Sequence, residues 1–148
     1  MESFDLGIWA TDWIWGVALI LVTVAVHVVG LMLINRRVVV VLSDALRTGR
    51  HLVLSIVIMA ITTILATFLH GIEGSIWALT YRALGALPDI RSAMLYSFSS
   101  MTSYGHATVY LEAKWQMMGA LEALNGIILF GLTTAFLFAT MHKLKLFG

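Results

Sequence analysis

The sequence contains no cysteine, only one proline and few charged residues. Without cysteine the chain can form no disulfide, no thiolate metal site and no cysteine nucleophile. A single proline, together with little of the polar–apolar alternation that is typical of strands, favours helices. The nine lysines and arginines are scattered, so no basic stripe is present that would bind nucleic-acid phosphates.

Apolar residues are what the chain has in abundance. They make up 60% of its 148 residues, against 11% that are charged. A soluble domain of this size needs far more charge to cover its surface. We therefore expect an integral membrane protein that is surrounded by lipid.

Three apolar runs predict membrane spans. The first, residues 14–34, holds no formal charge and is long enough to cross a hydrocarbon core of about 30 Å. Acidic residues precede it without any basic residue, so we expect a permanent span and not a signal peptide. The second run covers residues 52–69, and its helical spacing predicts a continuation until Gly85 and Pro88. The third covers residues 115–141 and has Glu122 and Asn125 inside it.

Two segments between the spans have different characters. Residues 35–51 are basic and predict an interfacial linker on the cytoplasmic side. Residues 91–101 predict a short helix that cannot cross a bilayer at about 1.5 Å per residue. The run 97–106 is too polar for lipid, and irregular backbone is tolerated at membrane depth only inside protein or beside a watery cavity. A pore loop is the favoured interpretation, and the alternative is an extracellular loop with a surface helix.

The distribution of basic residues predicts the orientation. Six lie in the 35–51 linker and the C-terminal tail, against three on the other side. By the positive-inside rule we expect a cell (inner) membrane protein with its N-terminus outside and its C-terminus in the cytoplasm. The two sets are Arg36, Arg37, Arg47, Arg50, Lys143 and Lys145 inside, and Arg82, Arg91 and Lys114 outside.

Tyr104-Gly105, directly after a short helix rich in serine and threonine, resembles the filter signature Thr-Thr-Val-Gly-Tyr-Gly-Asp of two-span potassium-channel pore modules. The third span, with Gly126 near the gating-hinge position, is similar to inner helices of the bacterial branch of that family. The resemblance covers about residues 52–141. It divides the chain into an N-terminal helix and linker, 1–51, and a pore module, 52–148.

The resemblance implies an all-α fold with three transmembrane helices, a re-entrant pore helix between the second and third, and a homotetramer in the lipid bilayer. It implies K⁺ or Na⁺ as permeant ions, and no cofactor, nucleic-acid partner or catalytic activity. The implied filter residues are Met101, Thr102, Ser103, Tyr104, Gly105 and His106. The implied hinge and lining residues are Gly126, Phe130, Gly131 and Thr134, and the polar residues that support the pore are Glu73, Glu122 and Asn125.

The filter positions depart from the family pattern at three places. Met101 has no hydroxyl for the innermost ion site. Ser103 stands where the family has glycine, and left-handed backbone costs an L-residue about 1–2 kcal/mol. His106 replaces an acidic residue at the outer mouth. These changes predict either a weakly selective cation channel, a potassium channel with an altered filter, or a channel fold that does not conduct.

Two further alternatives stay open. The chain is a non-conducting scaffold or subunit for an unidentified membrane partner, or a divalent-metal pathway or sensor that uses His70, Glu73 and His106 at the outer mouth. His27, in the first span, is expected to lie too deep to share a haem axial pair with His70, so we expect a packed or hydrogen-bonded residue. The sequence contains no recognisable catalytic motif, so an enzyme is not expected.

Overall fold

The computed structural model describes residues 6–48, 51–105 and 109–144. Within these ranges it is helical and has no strand, which confirms the predicted all-α class. The elements are α1 (Leu6–Thr48), α2 (His51–Ala83), α3 (Ile90–Met101), a 3₁₀ turn (Ala113–Trp115) and α4 (Gln116–Lys143). The short helix predicted over 91–101 is α3.

Three segments are long and apolar enough to cross a membrane: Ala10–Val40, Leu52–Ala83 and Ala113–Lys143. The predicted number of candidate spans is confirmed. The segment expected to be an interfacial linker is helical through Thr48, as a continuation of α1. The second helix continues past residue 69 to Ala83, which confirms the predicted continuation towards Gly85 and Pro88, and Glu73 within it is buried inside the protein.

Helices α1 and α4 lie side by side and run in the same direction. Near the middle of both, Asn125 Nδ2 donates to Thr23 Oγ1 over 2.9 Å. Further along both, Lys143 Nζ donates to Asn35 Oδ1 over 2.8 Å. The described N-terminal and C-terminal ends therefore lie at opposite ends of the bundle, as an odd number of spans requires.

Helix α2 packs antiparallel to α1. Gly30 allows the Leu69 side chain of α2 to pack directly against the α1 backbone, because an added Cβ would lie 2.6 Å from that side chain. Small residues serve this purpose in membrane helix packing. Many large apolar side chains on the outer faces are exposed, as a surface towards lipid requires; on α2 they include Leu52, Val53, Ile56, Ile61, Ile64 and Phe68.

Candidate functional site

Helix α3 lies in the groove between α2 and α4 and begins at a capped end. Asp89 is its N-cap and accepts hydrogen bonds from the Ser92 N–H, over 2.9 Å, and from the Ser92 hydroxyl, over 2.7 Å. These two hydrogen bonds lower the pKa of the exposed Asp89 carboxyl below its usual value.

Two buried serines attach α3 to the spans on either side of it. The Ser100 hydroxyl donates to the Gly119 carbonyl of α4 over 2.8 Å. The Ser97 hydroxyl lies 2.7 Å from the Gly74 carbonyl of α2. Ser100 bonds to backbone alone, whereas the one Ser97 proton is shared between the Gly74 carbonyl and a carboxylate of α4. These contacts hold the helix in one register against both spans.

The C-terminal end of α3 lies against Gly126 of α4. A Cβ at Gly126 would overlap the Met101 carbonyl group, so only glycine permits this approach. Gly126 is ten residues after the start of α4, which places the end of α3 about 15 Å along that helix. The proposed hinge glycine is thus a packing position for α3, whereas the predicted lining residues Phe130, Gly131 and Thr134 are exposed on α4.

A first buried carboxylate, Glu122, joins α3 to both neighbouring spans. Its Oε2 accepts a hydrogen bond from the Tyr81 hydroxyl of α2 over 2.8 Å, and its Oε1 lies 2.5 Å from the Ser97 hydroxyl of α3. We call Glu122, Tyr81 and Ser97 the hydroxyl cluster. Glu122 thus contacts the short helix, as expected of a supporting residue. Of the other two expected supporting residues, Asn125 donates to Thr23 of α1 instead, and Glu73 contacts His27 of α1 and His70 of its own helix.

The backbone after α3 closes the helix in a Schellman motif. The Tyr104 N–H donates to the Ser99 carbonyl and the Ser103 N–H to the Ser100 carbonyl, both over 2.9 Å. Ser103 has a φ of 55°, and Gly105 follows with a φ of 87°. The expected left-handed backbone at Ser103 is present, at the position where this motif usually has glycine. The positive φ of Ser103 therefore belongs to the cap that ends α3.

The predicted filter residues fall into a buried and an exposed group. Met101 is buried under α4, while residues 102–105 are exposed and Tyr104 reaches 87% exposure. His106 lies outside the described residues. The exposed loop therefore begins at Thr102.

A second buried carboxylate, Glu73, faces two histidines. His27 Nδ1 lies 2.7 Å from Glu73 Oε1, and His70 Nδ1 lies 3.0 Å from Glu73 Oε2. On their other sides, His70 Nε2 and His27 Nε2 lie 3.0 and 3.2 Å from Thr133 Oγ1 of α4. We call these four residues the imidazole cluster. His27 and Glu73 have no exposed side-chain surface, and the His70 side chain is 10% exposed.

The imidazole cluster overturns one expectation and confirms another. His27 and His70 do not lie at different depths, since their ring centroids are 5.2 Å apart. His27 is hydrogen-bonded, as expected, and its partner is Glu73. His70 and Glu73 lie within α2, which continues to Ala83. The structure places His27 beside His70 and Glu73 as the third group that could bind a metal ion. Sequence reasoning missed Thr133 altogether. A polar residue in an otherwise apolar stretch of α4 is the one signal that marks it.

No family model, no curated protein and no solved structure matches this chain. The resemblance to potassium channels therefore rests on the residues of the short helix, the loop and the third span, and on those alone.

Proposed function

We propose that the protein is a tetrameric cation channel of the potassium-channel type with an altered, weakly selective filter. The observation that carries the proposal is the attachment of α3 between two spans, with its C-terminal end and an exposed polar loop held about 15 Å along α4. About 15 Å is half the thickness of a hydrocarbon core.

Lipid is an unsuitable surrounding for that loop. Residues 102–105 are not helical, are exposed, and include two serine or threonine hydroxyls. Backbone of this kind is tolerated at membrane depth where protein buries it or where it lines a watery cavity. Copies of the chain around a central axis supply both conditions, and cyclic symmetry closes such a ring.

The polarity of α3 favours a cation at that axis. Its C-terminal carbonyls carry the negative end of the helix dipole, and four copies would direct it at one cavity. The exposed face of α4, with Phe130, Gly131 and Thr134, would line the vestibule below. The orientation with the N-terminus outside and the C-terminus in the cytoplasm belongs to the same proposal.

Cysteine substitution tests the pathway directly, because the natural chain has no cysteine. Thr102→Cys and Ser103→Cys are reconstituted in liposomes, and K⁺ flux is followed before and after a positively charged thiol reagent. We expect flux to be blocked at both positions. Phe68→Cys, on the outer face of α2, is the control and should conduct with or without reagent.

A flux that is unaffected by reagent at both loop positions, with modification verified by mass, would contradict the proposed pathway. The alternative function, a non-conducting scaffold that keeps the channel fold, predicts a stable oligomer without flux.

A further inference from the structure

The imidazole cluster has more polar contacts than its own protons satisfy. Glu73 and Thr133 face each other across two histidines, which makes four contacts in a ring. With an ionised carboxylate and two neutral imidazoles, the two N–H groups and the Thr133 hydroxyl supply three donors. One contact in the ring is left without a donor.

The unsatisfied contact is visible in the geometry. His70 Nδ1 and Glu73 Oε2 lie 3.0 Å apart, both are buried, and neither atom has a hydrogen-bond partner besides this contact with the other. Buried polar atoms without partners are uncommon and costly in folded proteins. Glu73 is completely buried, so its unpartnered oxygen has no access to solvent and points into the cluster.

We propose that the imidazole cluster binds a divalent transition-metal ion of the zinc type. The ligands are Nδ1 of His27, Nδ1 of His70 and the carboxylate of Glu73, whose ligand atoms lie within 4.8 Å of one another. Two imidazoles and one carboxylate are ligands that zinc and its neighbours in the transition series accept, with a fourth position left for water.

Thr133 completes the site from α4. When both Nδ1 atoms bind the ion, both Nε2 atoms carry protons and point at Thr133 Oγ1, which has two lone pairs to accept them. Metal-binding histidines are commonly oriented by such a second hydrogen bond. Binding of the ion also gives Glu73 Oε2 and His70 Nδ1 a partner, while the Thr133 hydroxyl then acts only as an acceptor within the ring.

The ion would connect all three spans. His27 belongs to α1, His70 and Glu73 to α2, and Thr133 to α4. His70 is the ligand at the edge of the site, and its ring stacks on Phe130 of α4 with centroids 4.2 Å apart. This metal site is independent of ion conduction and differs from an outer-mouth site that would include His106.

Metal binding is measured on the purified, tag-free, chelator-treated full chain in detergent. Co²⁺ is titrated first, because its visible absorption reports coordination number without any assay of activity, and Zn²⁺ is then used to displace it. We expect one ion per chain in a four- or five-coordinate nitrogen and oxygen environment.

Substitutions assign the ligands. His27→Gln, His70→Gln and Glu73→Gln should each weaken binding at least 100-fold, and Thr133→Val by about 10- to 100-fold, while Thr133→Ser keeps it. The Thr133 pair decides the question if a ligand variant does not fold, which helix content and gel filtration will show. The matched control replaces His51, His106 and His142 together by glutamine and should bind as the natural chain does.

Absence of one-to-one binding to the natural chain would overturn the proposal and leave a hydrogen-bonded ring closed by an additional proton. Loss of binding in the control with the three other histidines replaced would also overturn it, since the ion would then lie elsewhere.

Discussion

The two buried glutamates of this protein have the same burial and different partners. Glu122 and Glu73 are both completely inaccessible to solvent, and each connects helices of the bundle. Glu122 meets two hydroxyl groups, those of Tyr81 and Ser97. Glu73 meets two imidazoles, and its Oε2 has no hydrogen-bond partner besides His70 Nδ1, which lies 3.0 Å away.

The difference shows how partner chemistry separates a structural carboxylate from a binding one. A hydroxyl always carries a proton to donate, so the hydroxyl cluster satisfies Glu122 from within the protein. A neutral imidazole donates from one nitrogen only, and a ring that contains two of them needs a further proton or a metal ion. We therefore assign the hydroxyl cluster to holding α3 and the imidazole cluster to binding.

The largest expected effect is the loss of Glu122, and it separates the two clusters. Glu122→Ala leaves the Tyr81 hydroxyl without its acceptor and the Ser97 hydroxyl with the Gly74 carbonyl alone, which should lower the unfolding free energy on the order of 3 kcal/mol. Thermal unfolding in detergent measures this loss. Zn²⁺ at 100 times its Kd should stabilise the natural chain and Glu122→Ala equally, by about 2.7 kcal/mol, and Glu73→Ala not at all.

Equal stabilisation of all three proteins by Zn²⁺ would remove the distinction between the clusters. A Glu122→Ala variant that is as stable as the natural chain would also remove this distinction.

The attachment of α3 to α4 is tested by a pair of glycines on the same helix. Gly126→Ala forces a Cβ against the Met101 carbonyl group and should lower the unfolding free energy by about 1–3 kcal/mol. Gly131→Ala is the matched control, because nothing lies within 4 Å of an added Cβ there. It should be neutral or up to about 1 kcal/mol stabilising, through helix propensity. If Gly126→Ala and Gly131→Ala unfold at the same temperature, the close approach of α3 to α4 is contradicted.

A substitution at Ser103 should change the unfolding free energy by a smaller amount, and it should stabilise the protein. Glycine adopts positive φ without the steric cost of a Cβ, so Ser103→Gly should stabilise the closed end of α3 by about 1 kcal/mol. Gly105→Ala, at a φ of 87°, should destabilise it by a similar amount. Unfolding temperatures of both variants check the signs, and a destabilised Ser103→Gly would contradict the helix cap described here.

The smallest expected effect lies at the other end of α3 and depends on pH. Because its pKa is lowered in the folded protein, Asp89 stabilises the helix fully above the usual aspartate pKa of about 3.9. This contribution is lost as the pH falls through the lowered pKa. The difference in unfolding temperature between the natural chain and Asp89→Ala should therefore be present at pH 7 and disappear in acid.

Asp89→Asn is the control for this prediction, since asparagine is also a good N-cap but does not titrate. A difference between the natural chain and Asp89→Ala that is independent of pH would exclude the charged cap.

Features that depend on neighbouring residues could be predicted from the sequence, and those that depend on helix register could not. The short helix predicted over 91–101, after the break at Gly85 and Pro88, differs from α3 by one residue at its start. The left-handed backbone of Ser103 was expected, although from its position in a filter pattern and not from a helix cap. The number of spans followed from hydropathy.

The imidazole cluster could not be predicted because it depends on contacts between distant segments. Glu73 ends the charge-free run that marks the second span, which made His70 look like a residue of the membrane surface. In the fold, α2 continues and packs against α1 at Gly30, which brings His27 to the same depth. A charged residue that is buried between helices does not end a span. Hydropathy alone cannot distinguish such a residue from a charged residue at the membrane surface, which does end a span.

Ion flux through the purified protein tests the central claim most directly. The natural chain, verified as a tetramer, is reconstituted in liposomes, and the flux of K⁺, Na⁺ and a divalent cation is measured in turn. The proposal predicts a flux of K⁺ and Na⁺ with little preference between them, because Ser103 and Met101 replace residues of the selective filter. No flux from the verified tetramer between pH 5 and 8 would contradict it and leave a channel-like fold without conduction.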